Sequence, residues 1–322
     1  MKIILTGASG FIGSCYLREL NDLGIDQVVA VDVHALPDHP NLQGKKFRDY
    51  LSREELIDQL DSGKLKEVDG IIHLGACADT TERDRAFLAR NNVQYSQRLA
   101  RWSVTNDKFF HYASSASVYG NGDQGYDDNP DKLSTFKPLN AYAESKWLFD
   151  RWILKEKLVN RVVGFRYFNV FGPNEYHKGN MRSMVSKSYD QIMESGRVKL
   201  FASSREGYGD GSEERDFVYV KDVSRVMAWF LERRDKGGIF NLGTGKPRTF
   251  LDLVNAVFSA LERPPAIDFI PMPESLKGQY QYFTQADLSG LRHVGCDHAF
   301  MSLEDSVADY VKSHLMATSA IY

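Results

Sequence analysis

A glycine triplet near the start of the chain is the sequence feature that most constrains the fold. Lys2–Thr6 is a short β-branched run, and Phe11–Leu23 has the apolar spacing of a helix. Gly7, Gly10 and Gly13 occupy the junction between them. A turn that lacks Cβ atoms can bend sharply and approach a pyrophosphate, which the N–H groups at the start of the helix can bind. The sequence therefore predicts a strand–turn–helix unit that binds a dinucleotide; the alternative is a plain turn.

Strand-like and helix-like segments alternate through the first half of the chain. Near-continuous apolar strands separated by helices are typical of a parallel sheet that is covered on both faces. We therefore predict an α/β fold with a doubly wound parallel (Rossmann) sheet. After the first unit, strands are predicted at 27–32, 70–74, 108–113 and 161–167, and helices at 54–60, 86–102 and 141–155.

The pattern changes after Pro173. Residues 173–217 are polar and rich in Gly and Ser, and several prolines punctuate 246–300, which predicts irregular structure. Between these stretches, strands are predicted at 217–220 and 238–245 and a helix at 222–232. We expect a dinucleotide-binding domain over 1–172 with returning segments at 217–245. A smaller, irregular substrate-binding lobe is expected over 173–216 and 246–322.

Composition excludes several classes of protein. The 322 residues include 40 Lys and Arg against 43 Asp and Glu, a formal net charge of −3, so a nucleic-acid binder is disfavoured. We find no apolar run long enough to cross a bilayer. Three cysteines without CxxC spacing indicate a reducing compartment and neither a disulfide framework nor a metal site. We therefore expect a soluble, cytoplasmic enzyme.

Asp32 bears on the choice of cofactor. It ends the second predicted strand, about 20 residues after the last glycine, where a ribose-binding carboxylate belongs. A carboxylate there accepts bonds from a free 2′-hydroxyl and repels a 2′-phosphate, and no Arg or Lys occurs between Asp32 and Lys45. The residues alone therefore favour NAD over NADP. The alternative is that Asp32 only terminates the strand.

Tyr142 and Lys146 form a candidate catalytic pair. Their i, i+4 spacing places them on one face of the predicted helix. An ammonium beside a phenol favours the phenolate, so we expect Lys146 to lower the pKa of Tyr142 and make it a general base. Ser114 and Ser115 end a strand and offer a hydroxyl to the same substrate oxygen. The alternative for the pair is an ordinary helix surface.

Motifs along nearly the whole chain resemble those of extended short-chain dehydrogenase/reductases, most of which act on nucleotide sugars. Dehydratases of this superfamily carry an acidic pair after the strand-end hydroxyl, where this chain has Ala116 and Ser117. The resemblance therefore favours an epimerase. The motifs are TGASGFIG, YASSASVYG, NAYAESK, RYFNVFGP, RDFVYVKDV and FNLGTG.

A narrower resemblance is to the ADP-L-glycero-D-manno-heptose 6-epimerases. It implies inversion at C6 by transient oxidation to a 6-ketone and re-reduction with one tightly bound NAD or NADP per subunit. It also implies a homo-oligomer, commonly a pentamer, that supplies heptose to the inner core of lipopolysaccharide in Gram-negative bacteria. The segments that carry it are HLGACADTTE, NNVQYS, GFRYFNVFGPNEYHKGNM and SLKGQYQYFTQADLSGLRHVG.

The resemblance assigns roles to particular side chains. It implies that Tyr142 and Lys178 are two bases on opposite faces of the substrate, that Ser115 holds the reacting oxygen, and that Lys146 positions the nicotinamide ribose. Beyond the glycines and Asp32, it implies cofactor contacts by Phe11, Ile12, Val33, Arg53, Leu74, Gly75, Ala76, Asn91, Lys146 and Val170. Substrate contacts are implied for Ser115, Asn169, Lys178, Asn180, Lys187, Phe201, Ser204, Arg215 and Tyr280.

Three questions stay open at this point. The family's usual cofactor is NADP, whereas Asp32 and a following loop without Lys or Arg favour NAD. Another nucleotide-sugar epimerase, such as a UDP-hexose 4-epimerase, would share most of the motifs. A non-catalytic NAD(P)-sensing protein could keep the fold, although such proteins usually lose the catalytic Tyr or Lys.

Overall fold

Seven parallel strands form the central sheet of the protein. The computed structural model describes residues 1–33, 39–203, 207–273, 281–317 and 321–322. The order of the central strands is β3-β2-β1-β4-β5-β6-β11, and every neighbouring pair is parallel. The described strands are β1 (Ile3–Thr6), β2 (Val28–Asp32), β3 (Asp49–Ser52), β4 (Gly70–His73), β5 (Phe109–Ser115), β6 (Val163–Tyr167), β7 (Asn169–Phe171), β8 (Val198–Phe201), β9 (Glu214–Arg215), β10 (Phe217–Tyr219), β11 (Gly238–Leu242), β12 (Arg248–Thr249) and β13 (Ile267–Ile270).

Helices cover both faces of this sheet, which confirms the predicted doubly wound fold. Side chains alternate across a strand, so Ile3 and Leu5 of β1 enter one core while Ile4 enters the other. The described α-helices are α1 (Phe11–Asp22), α2 (Arg53–Asp61), α3 (Arg85–Leu88), α4 (Tyr95–Thr105), α5 (Ala141–Lys155), α6 (Met184–Ser195), α7 (Val220–Glu232), α8 (Phe250–Ala260), α9 (Ser289–His293) and α10 (Leu303–Tyr310).

The long helix predicted over 86–102 is interrupted. A π-helical turn, Ala89–Gln94, joins α3 to α4. The side chain of Asn92, inside this turn, bonds both backbone groups of Cys77 at 2.9 and 3.0 Å. These two bonds fasten the helix to the loop after β4. Such π-turns arise when one extra residue is accommodated in a helix, often at functional sites.

The second half of the chain is more regular than predicted. The helices α6, α8 and α10 pack around an apolar core that includes Val185, Leu253 and Val307, whereas residues 281–288 and 294–302 contain no helix or strand. The prolines bound elements rather than break them: Pro247 precedes α8, and Pro271 follows β13. The division into two domains stays a prediction.

Two strand assignments differ from the prediction. The segment predicted as a strand at 217–220 pairs with β7, not with the central sheet. The central sheet instead contains β3, which pairs with β2 and was missed because DYLS contains only one aliphatic residue. Within the described residues, no helix is both long and apolar enough to span a membrane.

Candidate active site

The glycine turn packs directly against the end of β4. Gly7 has a φ of +69°, which favours glycine, and a Cβ on it would lie 2.7 Å from the backbone nitrogen of Gly75. A Cβ on Gly13 would lie 1.9 Å from the carbonyl oxygen of Gly7. Only glycine therefore fits at these two positions, and no described side chain caps the start of α1. The first N–H groups of the helix are therefore available to bind an anion at the turn.

A cavity of about 530 Å³ opens beside this turn, within the range of small-molecule sites. It lies where the carboxyl ends of β1, β2, β4 and β5 meet α5. Most of the predicted cofactor residues line it: Gly7, Gly10, Phe11, Ile12, Gly13, Asp32, Val33, Arg53, Leu74, Gly75, Ala76, Asn91 and Lys146. Val170 instead packs from β7 against both neighbouring cores and is not among the described wall residues.

Asp32 lies at the end of β2, in the cavity wall. Its Oδ2 accepts bonds from the backbone N–H of Ser9 at 2.9 Å and from the Ser9 hydroxyl at 2.6 Å. Its Oδ1 accepts a bond from the N–H of Val33 at 2.8 Å. These three donors hold Asp32 as an acceptor at the place predicted for the ribose. Ser9, which sequence reasoning missed, lies inside the glycine motif itself.

Tyr142 and Lys146 both face the cavity from α5. Asn140 begins this helix by accepting a bond from the N–H of Ala143 at 2.8 Å. Lys146 Nζ donates to the carbonyl oxygen of Ala113 on β5 at 2.8 Å. The geometry thus joins the helix to the end of the strand that carries Ser115.

The prediction that Lys146 lowers the pKa of Tyr142 was wrong. Burial raises the pKa of Tyr142, and a hydrogen bond with Ser115 acts in the opposite direction. Burial also lowers the pKa of Lys146 to about 8. The reason is that the protein encloses both groups, and enclosure penalises the charged form of each.

The two strand-end serines have different partners. Ser115 bonds with Tyr142, whereas Ser114 Oγ donates to Asp150 Oδ2 at 2.9 Å. Asp150 has no exposed side-chain surface, and it also accepts a bond from Arg166 Nε at 3.1 Å. The structure therefore brings Ser115 to the predicted catalytic tyrosine and Ser114 to a buried ion pair.

Lys178 reaches the same cavity from a different part of the chain. It lies in the 3₁₀ turn Tyr176–Met181, which follows β7. Its Nζ lies 5.3 Å from the centroid of the Phe11 ring, within the range of a cation–π contact. Burial lowers the pKa of Lys178, and the ammonium of Lys187 lowers it further. Two candidate proton-transfer groups, Tyr142 and Lys178, thus line one cavity.

The predicted substrate residues are spread more widely. Asn180 is exposed in the turn that carries Lys178, and Lys187 faces Lys178 from α6. Asn169 and Phe201 lie in β7 and β8. Arg215 is buried in β9, where its guanidinium donates to the carbonyl oxygens of Glu214 and Gln281. Ser204 and Tyr280 lie outside the described residues. Of this set, the described cavity wall includes only Lys178.

Several wall residues were not predicted. Four of them, Thr6, Val31, Ala113 and Tyr167, lie at or near the ends of central strands, and the others lie in helices or loops. His177 was passed over although it belongs to the same HKG motif as Lys178. The unpredicted wall residues are Thr6, Ser9, Val31, His39, Phe87, Tyr95, Ala113, Tyr167 and His177.

Sequence comparison agrees with this geometry. Residues 3–243 match the model of the NAD dependent epimerase/dehydratase family. The chain belongs to that family. Its members are expected to hold a nicotinamide cofactor at a strand–turn–helix unit of the kind described above.

Individual relatives of this epimerase/dehydratase give a narrower match. The chain is 45% identical over 316 residues to a protein of Nitratidesulfovibrio vulgaris named ADP-L-glycero-D-manno-heptose-6-epimerase, with 98% of each chain covered. It is 42% identical over 324 residues to a protein of that name from Fusobacterium nucleatum, covering 97% of this chain and 98% of the relative. The resemblance predicted from the motifs is therefore confirmed.

A solved structure supports the same relationship. The crystal structure of the Helicobacter pylori ADP-L-glycero-D-manno-heptose-6-epimerase superposes with a TM-score of 0.78 at 26% identity. The match covers 97% of this chain and 96% of the other. The family member described here thus shares its fold with a heptose epimerase along nearly its whole length.

Proposed function

We propose that this protein is an isomerase that inverts C6 of ADP-D-glycero-D-manno-heptose to give ADP-L-glycero-D-manno-heptose. The observation that carries the proposal is the presence of Tyr142 and Lys178 in one cavity with the glycine turn. A dehydrogenase needs one proton-transfer group. In an inversion, the ketone oxygen changes position when the ketone turns, so a second group can serve it in its new position. The names of the relatives supply the sugar and the nucleotide.

The residues present fit a dinucleotide. The close packing of Gly7 and Gly13 leaves room only for backbone at the turn, and Asp32 presents a carboxylate at the ribose position. A nicotinamide held there would supply the hydride chemistry, which is removal of hydride from C6 and its return to the opposite face. Arg53, which donates to Asn91 and stacks on Tyr95, would border the same molecule.

The protein's own part is to move one proton in each half of the reaction. One group removes the proton of the C6 hydroxyl as the C6–H bond breaks, which leaves the 6-ketone. The ketone turns about the C5–C6 bond, and the second group protonates the oxygen as the hydride returns. Burial raises the pKa of Tyr142 and lowers that of Lys178, so a protonated phenol and an amine shifted towards its neutral form face one substrate.

Ser115 and Lys146 position the reacting atoms in this proposal. Ser115 bonds with Tyr142, so its hydroxyl can share the substrate oxygen with the phenol. Lys146 is held by Ala113 at 2.8 Å and presents its Nζ at the cavity wall, where a ribose would lie. Neither contact depends on the identity of the sugar.

We infer NAD as the cofactor. Asp32 lies at the ribose end of the cavity, and His39 Nδ1 accepts a bond from the N–H of Asn41 at 3.2 Å. Burial lowers the pKa of His177, the neighbouring imidazole. A 2′-phosphate would meet the Asp32 carboxylate. Arg53, which follows the β3 residue that pairs with Asp32, is already bonded to Asn91 and stacked on Tyr95. Mass spectrometry of the nucleotide released from purified protein tests this, and recovery of NADP alone would refute it.

The proposal extends to a cytoplasmic homo-oligomer that serves lipopolysaccharide inner-core synthesis, as the resemblance implies. These statements are predictions about the cell and the assembly, and they do not affect the chemistry at the cavity.

The direct test is an epimerisation assay with the two ADP-heptose epimers and a panel of UDP-hexoses. We expect turnover of ADP-heptose, and a fall in rate of about 10³-fold or more in Tyr142→Phe and in Lys178→Met. Faster turnover of a UDP-hexose would favour the alternative 4-epimerase. No turnover of any sugar by folded, cofactor-loaded protein would favour a non-catalytic sensor.

A further inference from the structure

The turn that carries Lys178 contains a buried carboxylate. Glu175 has no exposed surface. Its Oε2 accepts a bond from the N–H of Ser183 at 2.5 Å, and its Oε1 accepts one from the Ser183 hydroxyl at 2.6 Å. Ser183 is the N-cap of α6. One carboxylate therefore ties the start of the turn to the helix that follows it, and burying a carboxylate is costly unless it is bonded in this way.

The turn is fastened on both sides of Lys178. Before it, Asn174 Nδ2 donates to Ser14 Oγ of α1 at 3.0 Å. Within it, the N–H of Lys178 donates to the carbonyl oxygen of Glu175 at 3.0 Å. After it, Glu175 holds Ser183. The backbone bends at Gly179, with φ +52°. The Asn174–Ser14 and Glu175–Ser183 bonds therefore fix the segment that carries Lys178 at both of its ends.

Glu175 supplies a negative charge near Lys178 when it is ionised. Burial raises the pKa of its carboxyl, and the two bonds from Ser183 and the charge of Lys178 act in the opposite direction. The Glu175 charge raises the pKa of Lys178, against the lowering by burial and by the ammonium of Lys187. The other titratable groups around these side chains favour their neutral forms. Burial raises the pKa of Cys15 to about 12, raises those of Tyr176 and Tyr310, and lowers that of His177.

We propose that Glu175 is the positioning residue for Lys178: its carboxylate fixes the turn to α6 and keeps a negative charge opposite the Lys178 ammonium. This inference rests on the proposed function in one respect, which is that Lys178 exchanges a proton with the substrate. Without Glu175, the amine would face only the ammonium of Lys187 and would be biased further towards its neutral form. Lys178 would then less often carry the proton that it must give to the substrate oxygen.

The test reads the protonation of Lys178 directly. Trace acylation with an uncharged reagent, measured on the Lys178 peptide by mass spectrometry from pH 6 to 11, gives the midpoint at which this amine becomes reactive. We expect a lower midpoint in Glu175→Gln than in the unaltered protein, and a higher midpoint in Lys187→Met. Ser183→Ala removes a bond that favours the ionised form of Glu175, so its midpoint should move in the same direction as in Glu175→Gln but by less.

Epimerisation rates separate this inference from the proposed function. In a plot of kcat against pH, we expect Glu175→Gln to move the limb that depends on Lys178 to lower pH. We expect Glu175→Asp to lower kcat without moving that limb. An unchanged Lys178 midpoint in folded Glu175→Gln would overturn the electrostatic role. If Glu175→Gln does not fold, unaltered kcat in Glu175→Asp would overturn the positioning role. A shifted midpoint in a protein that epimerises no heptose would keep the inference and reject the proposed function.

Discussion

Two adjacent serines illustrate how single residues divide the work of this site. Ser115 bonds with Tyr142, and Ser114 donates to the buried Asp150. The sequence predicted a hydroxyl at the end of β5 but gave no means of choosing between them, because successive side chains of a strand point to opposite faces. The partner of each serine is supplied only by the fold: in the proposed reaction Ser115 assists Tyr142, whereas Ser114, which also borders the cavity, bonds a buried carboxylate.

This division predicts opposite phenotypes for two alanine substitutions. We expect Ser115→Ala to lower kcat by about 100-fold, because the phenol loses its hydrogen-bond partner, with little change in the free energy of unfolding. We expect Ser114→Ala to lower that free energy by about 2 kcal/mol, because a bond to a buried charge is lost, with the smaller effect on kcat. Steady-state kinetics and urea unfolding of both variants measure this; equal effects of the two substitutions on kcat would contradict it.

Among the structural elements, α5 is central to the proposed reaction because it carries both Tyr142 and Lys146. Its span, Ala141–Lys155, was predicted at the same residues, since Pro138 and Asn140 mark its start. The apolar spacing could not predict the π-turn Ala89–Gln94 in the neighbouring helix. That turn depends on the Asn92 bonds to Cys77, which join residues brought together by β4 and its following loop.

The cap of α5 gives a prediction at this scale. Asn140→Ala removes the bond to the N–H of Ala143, and we expect it to lower the free energy of unfolding by about 1 kcal/mol. It should also lower kcat several-fold, because Tyr142 lies in the first turn of α5. Ser302→Ala is the matched control: it removes the cap of α10 at a similar cost in stability and should leave kcat unchanged. Equal kcat values for the two variants would count against the role of the cap.

For the whole molecule, sequence reasoning was most successful where local pattern determines structure. The glycine turn, Asp32, Tyr142 and Lys146 meet in one cavity as predicted, because parallel strands bring their carboxyl ends to one edge. It failed in the second half, where α6 and α8 pack around their own core between glycine- and proline-rich loops. Arg215 belongs to that part, and its contacts with Glu214 and Gln281 could not be read from spacing.

The account depends on a hydride that leaves C6 and returns to the same carbon within one active site. The most direct measurement is epimerisation of ADP-heptose deuterated at C6 in ordinary water, together with unlabelled substrate in D₂O, followed by mass spectrometry and NMR of the product. We predict that the label stays at C6 and that no solvent deuterium enters that position. Loss of the label to water, or uptake of solvent deuterium at C6, would show inversion by deprotonation at carbon and would contradict the account.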